Sequence, residues 1–570
     1  MSAVLPVLAA RLSTAAAAAF GPSYGDLDPE LRSATKPEFG HYQSNLALRL
    51  ANALGRPPRE VAARLVDVLE IADLCEPAEI AGPGFVNLRL RASTLAAAVN
   101  EPRTFTSRHQ RVVVDYSQPN VAKQMHVGHL RSTVIGDALC NVLQYVGYDV
   151  VRQNHVGDWG TQYGMMIEQS LEESLDPKDL DLQGLQLLYE RSRKHFDADA
   201  VFAGKSRNRV VLLQSGDPET RASWRRMVDV SLADFDQVYA LLDSKLTRAD
   251  VVGESAYNDE LPRVVDDLTA AGLLTESDGA LCAFLPGFTG RDGQPLPVIV
   301  RKSDGGFGYS ATDLAAVRHR VSTLHADRIV YVVDHRQALH FEQIFALARA
   351  ADWLPPTTTA EHVGFGTVLG PDGKPFKTRA GGTVKLTTLL DEAVSRAAAL
   401  LEDRDGIDRE ATAKVVGIGA VKYADLSSDR GNDYVFDLDR MVAMTGNTGP
   451  YLQYAHARLT RLLSKAGAEH DQVTEPGQVT ELKEPAEERL ALLLTGFADV
   501  VEQVAETLQP HRLCTYLYDV ATALSVFYEQ CPVLTSQGST RASRIALCAA
   551  TRTVLQDGLG LLGMQAPDAM

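Results

Sequence analysis

His126 and His129 stand three residues apart with Gly128 between them, in the run Met125-His126-Val127-Gly128-His129-Leu130. If that run opens a helix, both imidazoles fall on the face of its first turn, beside backbone N–H groups with no partner inside the helix. A helix N-terminus of this kind carries partial positive charge and binds phosphate readily, and two imidazoles add donors. Gly128 has no side chain, so a flat group can approach the backbone there. A nucleotide suits this description, although an isolated H-x-G-H more often only caps a helix or fills a crevice, and it is the context that favours the nucleotide. Zinc is not indicated, because no Cys lies nearby and no third ligand follows at metal spacing. Lys123, three residues ahead of His126, is close enough to serve the same phosphates. Further along, the run from Gly373 to Gly382 sets Lys374, Lys377 and Arg379 among glycines, the composition of a mobile basic lid over phosphates.

The elements that must hold these residues are readable around them. Val112, Val113 and Val114 form a β-branched run that predicts a strand of a parallel sheet covered on both faces. Pro119 and Asn120 end it, after Ser117 and Gln118. Leu130, Val134, Ala138 and Val142 then recur every fourth residue, with Ile135, Leu139, Leu143 and Val146 beside them, which predicts a helix from about Val127 closed by Gly147. A second strand is expected over Asp149 to Gln153. Strand, helix and strand in this order make a right-handed βαβ unit whose ligand crevice opens at the carboxyl end of the first strand. His126, Gly128 and His129 sit at that end.

The stretch from Asp115 to Ser132, D-Y-S-Q-P-N-V-A-K-Q-M-H-V-G-H-L-R-S, has four companions in order along the chain. They are N-H-V-G-D-W-G-T-Q-Y-G at 154 to 164, G-Y-S-A-T-D-L-A at 308 to 315, G-K-P-F-K-T-R-A-G-G at 373 to 382 and T-G-P-Y-L-Q-Y-A-H-A-R at 448 to 458. Together they resemble the arginyl-tRNA synthetases, a family of class I aminoacyl-tRNA synthetases, with H-V-G-H in the place of the HIGH signature. The resemblance implies ATP-dependent activation of L-arginine to arginyl-adenylate, assisted by Mg2+, and transfer to the 3' end of arginine tRNA. The arginine carboxylate would attack the α-phosphate in line, so positioning and charge neutralisation replace a covalent nucleophile. His126, His129, Lys123, Lys374 and Lys377 would carry catalysis, and His126, Gly128, His129 and Lys377 would hold ATP. The basic loop departs from the K-M-S-K-S pattern of class I enzymes, so its two lysines share one expectation. Arginine would lie among Ser117, Asn120, Glu254, Tyr309, Asp313 and Gln337, with Glu254 and Asp313 meeting the planar fork of the guanidinium and Tyr309 packing on its plane. Two other readings compete: a HIGH-motif nucleotidyltransferase with another acceptor, which the helical carboxyl-terminal region disfavours, and a non-catalytic tRNA-binding relative, which the intact H-x-G-H disfavours.

With 570 residues the chain exceeds what one core covers. An α/β architecture is expected: an amino-terminal α+β module over 1–108, a parallel-sheet Rossmann-like catalytic domain over 109–385 with a helical insertion at about 170–250, and an all-α helical bundle over 386–570. Within it, Ala81 to Leu88 reads as a turn into an edge strand. Ala280 to Leu285 and Val298 to Arg301 read as continuing the sheet, as does Arg328 to Val333. Asp439 to Lys465 and Arg489 to Leu508 read as single helices. In the amino-terminal module the resemblance places tRNA contacts at Phe39, Tyr42, Gln43 and Asn45. In the bundle, Tyr451, Tyr454, Arg458 and Arg461 fall near one helical face, where aromatics beside cations can stack unpaired bases.

The net charge of −17 argues against indiscriminate nucleic-acid binding and leaves a specific RNA ligand possible through local basic faces. Six cysteines without a C-x-x-C pair point to reduced thiols and a cytoplasmic home. The Ala-rich start is interrupted by Arg11 and reads as an amphipathic helix, and no apolar run is long enough for a membrane span. The expected partners are therefore arginine tRNA, L-arginine and ATP, without a membrane, and the chain is expected to act as a monomer.

Overall fold

Val112, Val113 and Val114 are fully buried at the middle of a four-stranded parallel sheet. The structure is a computed structural model that describes residues 4–34, 36–290, 293–376, 384–402, 406–467 and 477–570. Its central sheet runs Thr359–His362, Arg328–Tyr331, Arg111–Asp115, Asp149–Gln153 from edge to edge. Because side chains alternate along a strand, Val112 and Val114 join one core with Leu130, Leu139 and Leu143 of the helix Val127–Tyr145. Val113 joins another with Ile329, Leu314 and Ile344. The first strand has one neighbour reached through the motif helix and another that arrives from far along the chain. Strand order therefore reverses at its carboxyl end, which is where a crevice must open.

Two strand expectations are corrected here. Ala280–Thr289 and Pro295–Arg301 do not extend the central sheet but form a separate antiparallel sheet with Thr275–Ser277. Pro295–Arg301 alternates exposed and buried residues, the pattern of a sheet with one wet face, whereas a central parallel strand is covered on both. The fourth central strand, Thr359–His362, carries the polar sequence T-A-E-H and gave no strand signal; it sits at the edge.

The amino-terminal module packs the helices Val4–Phe20, Leu46–Leu54, Pro58–Asp67 and Ala92–Asn100 around an antiparallel sheet. Phe85–Leu88 pairs with both Tyr42–Ser44 and Glu79–Ala81, so it is an interior strand and not the expected edge. The insertion consists of Thr161–Glu172, Leu182–Ala198, Ala200–Ser215 and Pro218–Leu242. In the carboxyl-terminal bundle the single helix expected over 439–465 is broken. Leu438–Met441 ends early, and Gly449–Lys465 restarts where the Thr448 hydroxyl accepts the Tyr451 N–H at 3.3 Å and Pro450, which has no N–H, needs no acceptor. Gly496 likewise divides 489–508 into Pro485–Thr495 and Phe497–Thr507.

The motif helix is held from the bundle side. It packs on Arg409–Leu426, Phe497–Thr507 and Gly538–Leu561. Arg131, almost fully buried one turn beyond the histidines, donates to the Asn432 carbonyl at 2.9 Å and lies 3.3 Å from the Asp425 carboxylate. One continuous core runs through module, catalytic sheet and bundle. All six cysteines are free thiols and buried. Among the described residues no helix is long and apolar enough to cross a membrane.

Candidate active site

His126 caps the motif helix from an extended backbone conformation. Its Nδ1 accepts the Gly128 N–H at 3.0 Å, and its own N–H donates to Nδ1 of His129 at 3.0 Å. Both Nδ1 atoms are thus acceptors, which in a neutral imidazole places the proton on Nε2. Burial, and then the charge of Lys123, holds His126 below its usual range; burial, and then His126, pushes His129 down to about 3. The two rings, with centroids 4.1 Å apart, therefore stay neutral at pH 7 with two Nε2–H donors left for a ligand. Capping and phosphate binding are not alternatives, since each uses a different nitrogen. Gly128 has a second reason to be glycine: a Cβ there would stand 2.8 Å from Cε1 of His126 and displace the cap.

The chain emerging from the basic loop is laced to this motif. Val127 N–H donates to the Val384 carbonyl at 3.3 Å, Leu386 N–H donates to the Met125 carbonyl at 3.0 Å, and His126 pairs with Lys385. Lys385, which the residue pattern did not single out, is exposed, joined to His126 through the backbone, and near enough to Asp234 for its charge to act there. Lys374 is exposed in a turn closed by Gly370 N–H on its carbonyl at 2.7 Å. Lys377 and Arg379 lie outside the described residues. Lys123 is exposed, with its ammonium 5.5 Å from the centre of the Tyr189 ring.

Across the crevice lies an acidic pocket. Glu254 is half-buried, and burial followed by the charges of Asp158 and Asp313 pushes its carboxyl up to about 8. Asp158, from the second motif, is 5% exposed and accepts from both the backbone N–H and the hydroxyl of Ser255, at 2.8 and 2.6 Å. Its position was not foreseen, because an Asp between Gly157 and Trp159 reads as a turn residue. Asp313 lies with Oδ2 2.6 Å from Nε2 of His340. Among the described residues no Lys or Arg pairs with Glu254, Asp158 or Asp313. Glu254 and Asp313, close enough for the charge of one to act on the other and without a Lys or Arg partner, fit a planar, multiply donating cation. Tyr309, 73% exposed at the start of the helix Tyr309–Ser322, is near enough to Glu254 to feel its charge. Asn120 is exposed in a bridge with Gly157, where a Cβ would meet Asn120 Oδ1 at 2.4 Å. Gln337 is exposed and caps the helix Ala338–Ala350 one turn before His340.

Ser117 is a correction. It is 3% exposed, and its hydroxyl is enclosed by Tyr239 OH at 2.8 Å and Thr133 Oγ1 at 3.0 Å, so it braces the loop and does not face a substrate. Tyr42 is another: at 5% exposure, with burial pushing its phenol up to about 12, it belongs to the core and offers no ring to an RNA base. Phe39 is half-buried with the Lys36 ammonium 5.9 Å from its centre, Gln43 donates to Asn87 Oδ1 at 2.7 Å, and Asn45 caps Leu46–Leu54. In the bundle, the Arg458 guanidinium stacks 3.5 Å over the ring of Tyr528, a partly exposed residue absent from the expected set. Tyr451 turns its hydroxyl toward Ser525, 3.2 Å away, while Tyr454 is half-buried and Arg461 exposed.

Comparisons with known proteins agree over the whole length. Residues 93–438 match the family described as tRNA synthetases class I (R), catalytic domain. Residues 452–570 match the DALR anticodon binding domain, and residues 7–90 the arginyl tRNA synthetase N terminal domain. Arginine–tRNA ligase of Cutibacterium acnes is 55% identical, with 100% of both chains covered, and that of Thermobifida fusca 50% identical, with 99% of each. Among solved structures, arginyl-tRNA synthetase of Plasmodium falciparum superposes with a TM-score of 0.84 at 28% identity and that of Thermus thermophilus with 0.81 at 25%, each covering 100% of both chains.

Proposed function

Because the chain belongs to the arginyl-tRNA synthetase family of class I ligases and so activates arginine with ATP for transfer to arginine tRNA, we propose that the His126–His129 cap binds the ATP phosphates and that Glu254 and Asp313 hold the guanidinium, with buried Asp158 bracing the turn at Ser255 behind them. The observation that carries this reading is the Glu254 pocket. Burial and two neighbouring acids disfavour the ionised form of Glu254 until a cation arrives, and arginine supplies one with five donors. Lysine, a point charge with three donors, leaves part of that pocket unpaired, which at a buried polar site gives roughly 10⁴-fold discrimination.

In the first step the arginine carboxylate oxygen attacks the α-phosphorus and pyrophosphate leaves. In the second a terminal ribose hydroxyl of the tRNA attacks the carbonyl carbon and AMP leaves. The neutral imidazoles of His126 and His129 donate Nε2–H to phosphate oxygens as charge shifts onto them, and Lys123 and Lys385 add positive charge at the same mouth; Lys374 and Lys377 of the basic loop act over the same phosphates. Asn120 and Gln337 orient the amino-acid end and Tyr309 lies against the guanidinium. Among the described residues no group of three or more His, Cys, Asp or Glu side chains is arranged to hold a metal. Mg2+ therefore fits as a companion of the ATP phosphates, where it neutralises charge, since magnesium keeps several waters and needs no protein cage. Arg458, Arg461, Tyr454 and Tyr528 form the bundle face for tRNA, with Phe39, Gln43 and Asn45 on the amino-terminal module. The enzyme acts as a cytoplasmic monomer.

Calorimetric titration with arginine and with citrulline, its uncharged urea isostere, tests the pocket. Arginine is expected to bind at least 10³-fold more tightly; equal affinities would overturn the assignment.

A further inference from the structure

The backbone that carries Asn120 toward His126 is strained. Ser117, Gln118 and Ala122 all have left-handed φ values, +73°, +51° and +64°, although each bears a side chain. Such conformations are sparsely populated and persist only where surrounding contacts over-determine them. Here Ser132 of the motif helix accepts the Ser117 N–H at 2.8 Å and Thr133 donates to the Ser117 hydroxyl at 3.0 Å, and the other side of the loop is held by one helix of the insertion, Pro218–Leu242. Ser231, with no exposed surface, accepts the Ala122 N–H on its hydroxyl at 3.0 Å. Tyr239, 4% exposed, places its hydroxyl 2.8 Å from Ser117 Oγ and accepts from Asn154 Nδ2 at 2.8 Å, while Asn154 Oδ1 accepts the Gln118 N–H at 3.0 Å. Trp224 donates its indole N–H to the Asp158 carbonyl at 2.8 Å. Trp224, Ser231 and Tyr239 lie seven and eight residues apart, about two turns each, so they share one stripe of the helix.

That stripe touches the ends of three site segments: the loop bearing Asn120, the turn at Asn154 and the turn at Asp158. None of its members reaches the crevice itself. We propose that Ser231 and Tyr239 are positioning residues for adenylate formation, which hold the left-handed loop so that Asn120 and the His126 cap meet the reacting groups together. The insertion is then a splint for the site and not a spacer between its strands. A displacement of about 1 Å at such a site costs up to about 10²-fold in rate, so deleting one buried hydroxyl should be visible in kcat.

The inference rests on the crevice being the activation site, and one assay separates the two. Arginine-dependent ATP–pyrophosphate exchange is measured on the full chain with total tRNA present, well below its melting temperature, for the unmodified protein, Tyr239→Phe and Ser231→Ala. Absence of exchange in the unmodified protein would overturn the functional reading and this inference with it. If that protein is active, Tyr239→Phe and Ser231→Ala are each expected to lower kcat at saturating substrates at least tenfold, with the KM for ATP within about twofold. A purely structural role would lower the melting temperature and leave kcat alone, so an unchanged kcat in either folded variant overturns the inference. Should Tyr239→Phe not fold, Ser231→Ala decides alone.

Discussion

Nε2 of His340 lies 2.6 Å from Oδ2 of Asp313, so one oxygen of this carboxylate is already engaged. His340 comes from the helix that Gln337 caps and Asp313 from the helix that Tyr309 opens, so the bond ties the two elements that close the acidic pocket. Asp313→Asn keeps the shape and loses the charge. It is expected to weaken arginine binding by about 2–5 kcal/mol, the cost of truncating one partner of a desolvated charge pair, while ATP affinity stays within a few-fold. A melting temperature that falls with arginine affinity unchanged would reduce Asp313 to a support for His340.

Glu254 makes arginine binding pH-dependent. Its folded-state value, about 8, is raised above the ordinary 4.5, so the folded protein holds a proton that the unfolded chain releases. Stability contributed by this group is fully present below about pH 4.5 and is lost as pH rises through about 8. The melting temperature of the arginine-free protein should therefore fall over that window more steeply than that of Glu254→Gln. Arginine favours the carboxylate, so binding near neutral pH should release close to one proton, read as a dependence of calorimetric heat on buffer ionisation, and Glu254→Gln should abolish the release.

His126→Ala and His129→Ala should each slow exchange by about 10²-fold or more, since each removes a donor aimed at developing phosphate charge. Gly128→Ala should resemble His126→Ala, because the added Cβ would stand 2.8 Å from the imidazole. His126→Asn, which can cap the helix and still offer an amide N–H, should recover part of the rate. Because burial holds both rings below their usual range, any titration that they contribute to the rate profile should lie on the acid side of pH 6.5. Near-normal exchange in the alanine variants would remove the pair from the mechanism.

Removal of the bundle is not a clean test of tRNA binding, because the motif helix packs against it and a single core spans both. Point variants are. Arg461→Ala is expected to raise the KM for tRNA several-fold and to flatten its salt dependence by about one unit of log–log slope, the signature of one lost phosphate contact. Exchange at saturating tRNA should be unaffected. An unchanged salt slope would place Arg461 off the RNA path.

The βαβ unit was legible because three adjacent valines and a four-residue apolar spacing are strong, local signals: Val112 and Val114 share a core with Leu130, and Val113 is buried on the other face of the sheet. Thr359–His362 was not, because an edge strand exposes side chains and tolerates T-A-E-H. Tyr42 and Ser117 show a different limit. The family resemblance implies a tRNA contact and a substrate contact there, but burial is decided by what packs above each side chain, and for Ser117 that includes Tyr239 from a distant segment. Asp158, Ser231 and Tyr239 carry no local motif for their roles; each is defined by a partner about 85 residues or more away or on another element. That the two histidines open one helix was legible from their spacing and the apolar pattern behind them, yet which nitrogen caps the helix needed the geometry.

The measurement that bears most directly on the whole account is ATP–pyrophosphate exchange with each of the twenty amino acids in turn, in the presence of total tRNA, followed by charging of that tRNA with the active amino acid. Arginine alone should support exchange, with lysine at roughly 10⁻⁴ of its efficiency or less, and the same arginine should appear on tRNA. Exchange driven by another amino acid, or arginine-dependent exchange without charged tRNA, would contradict it.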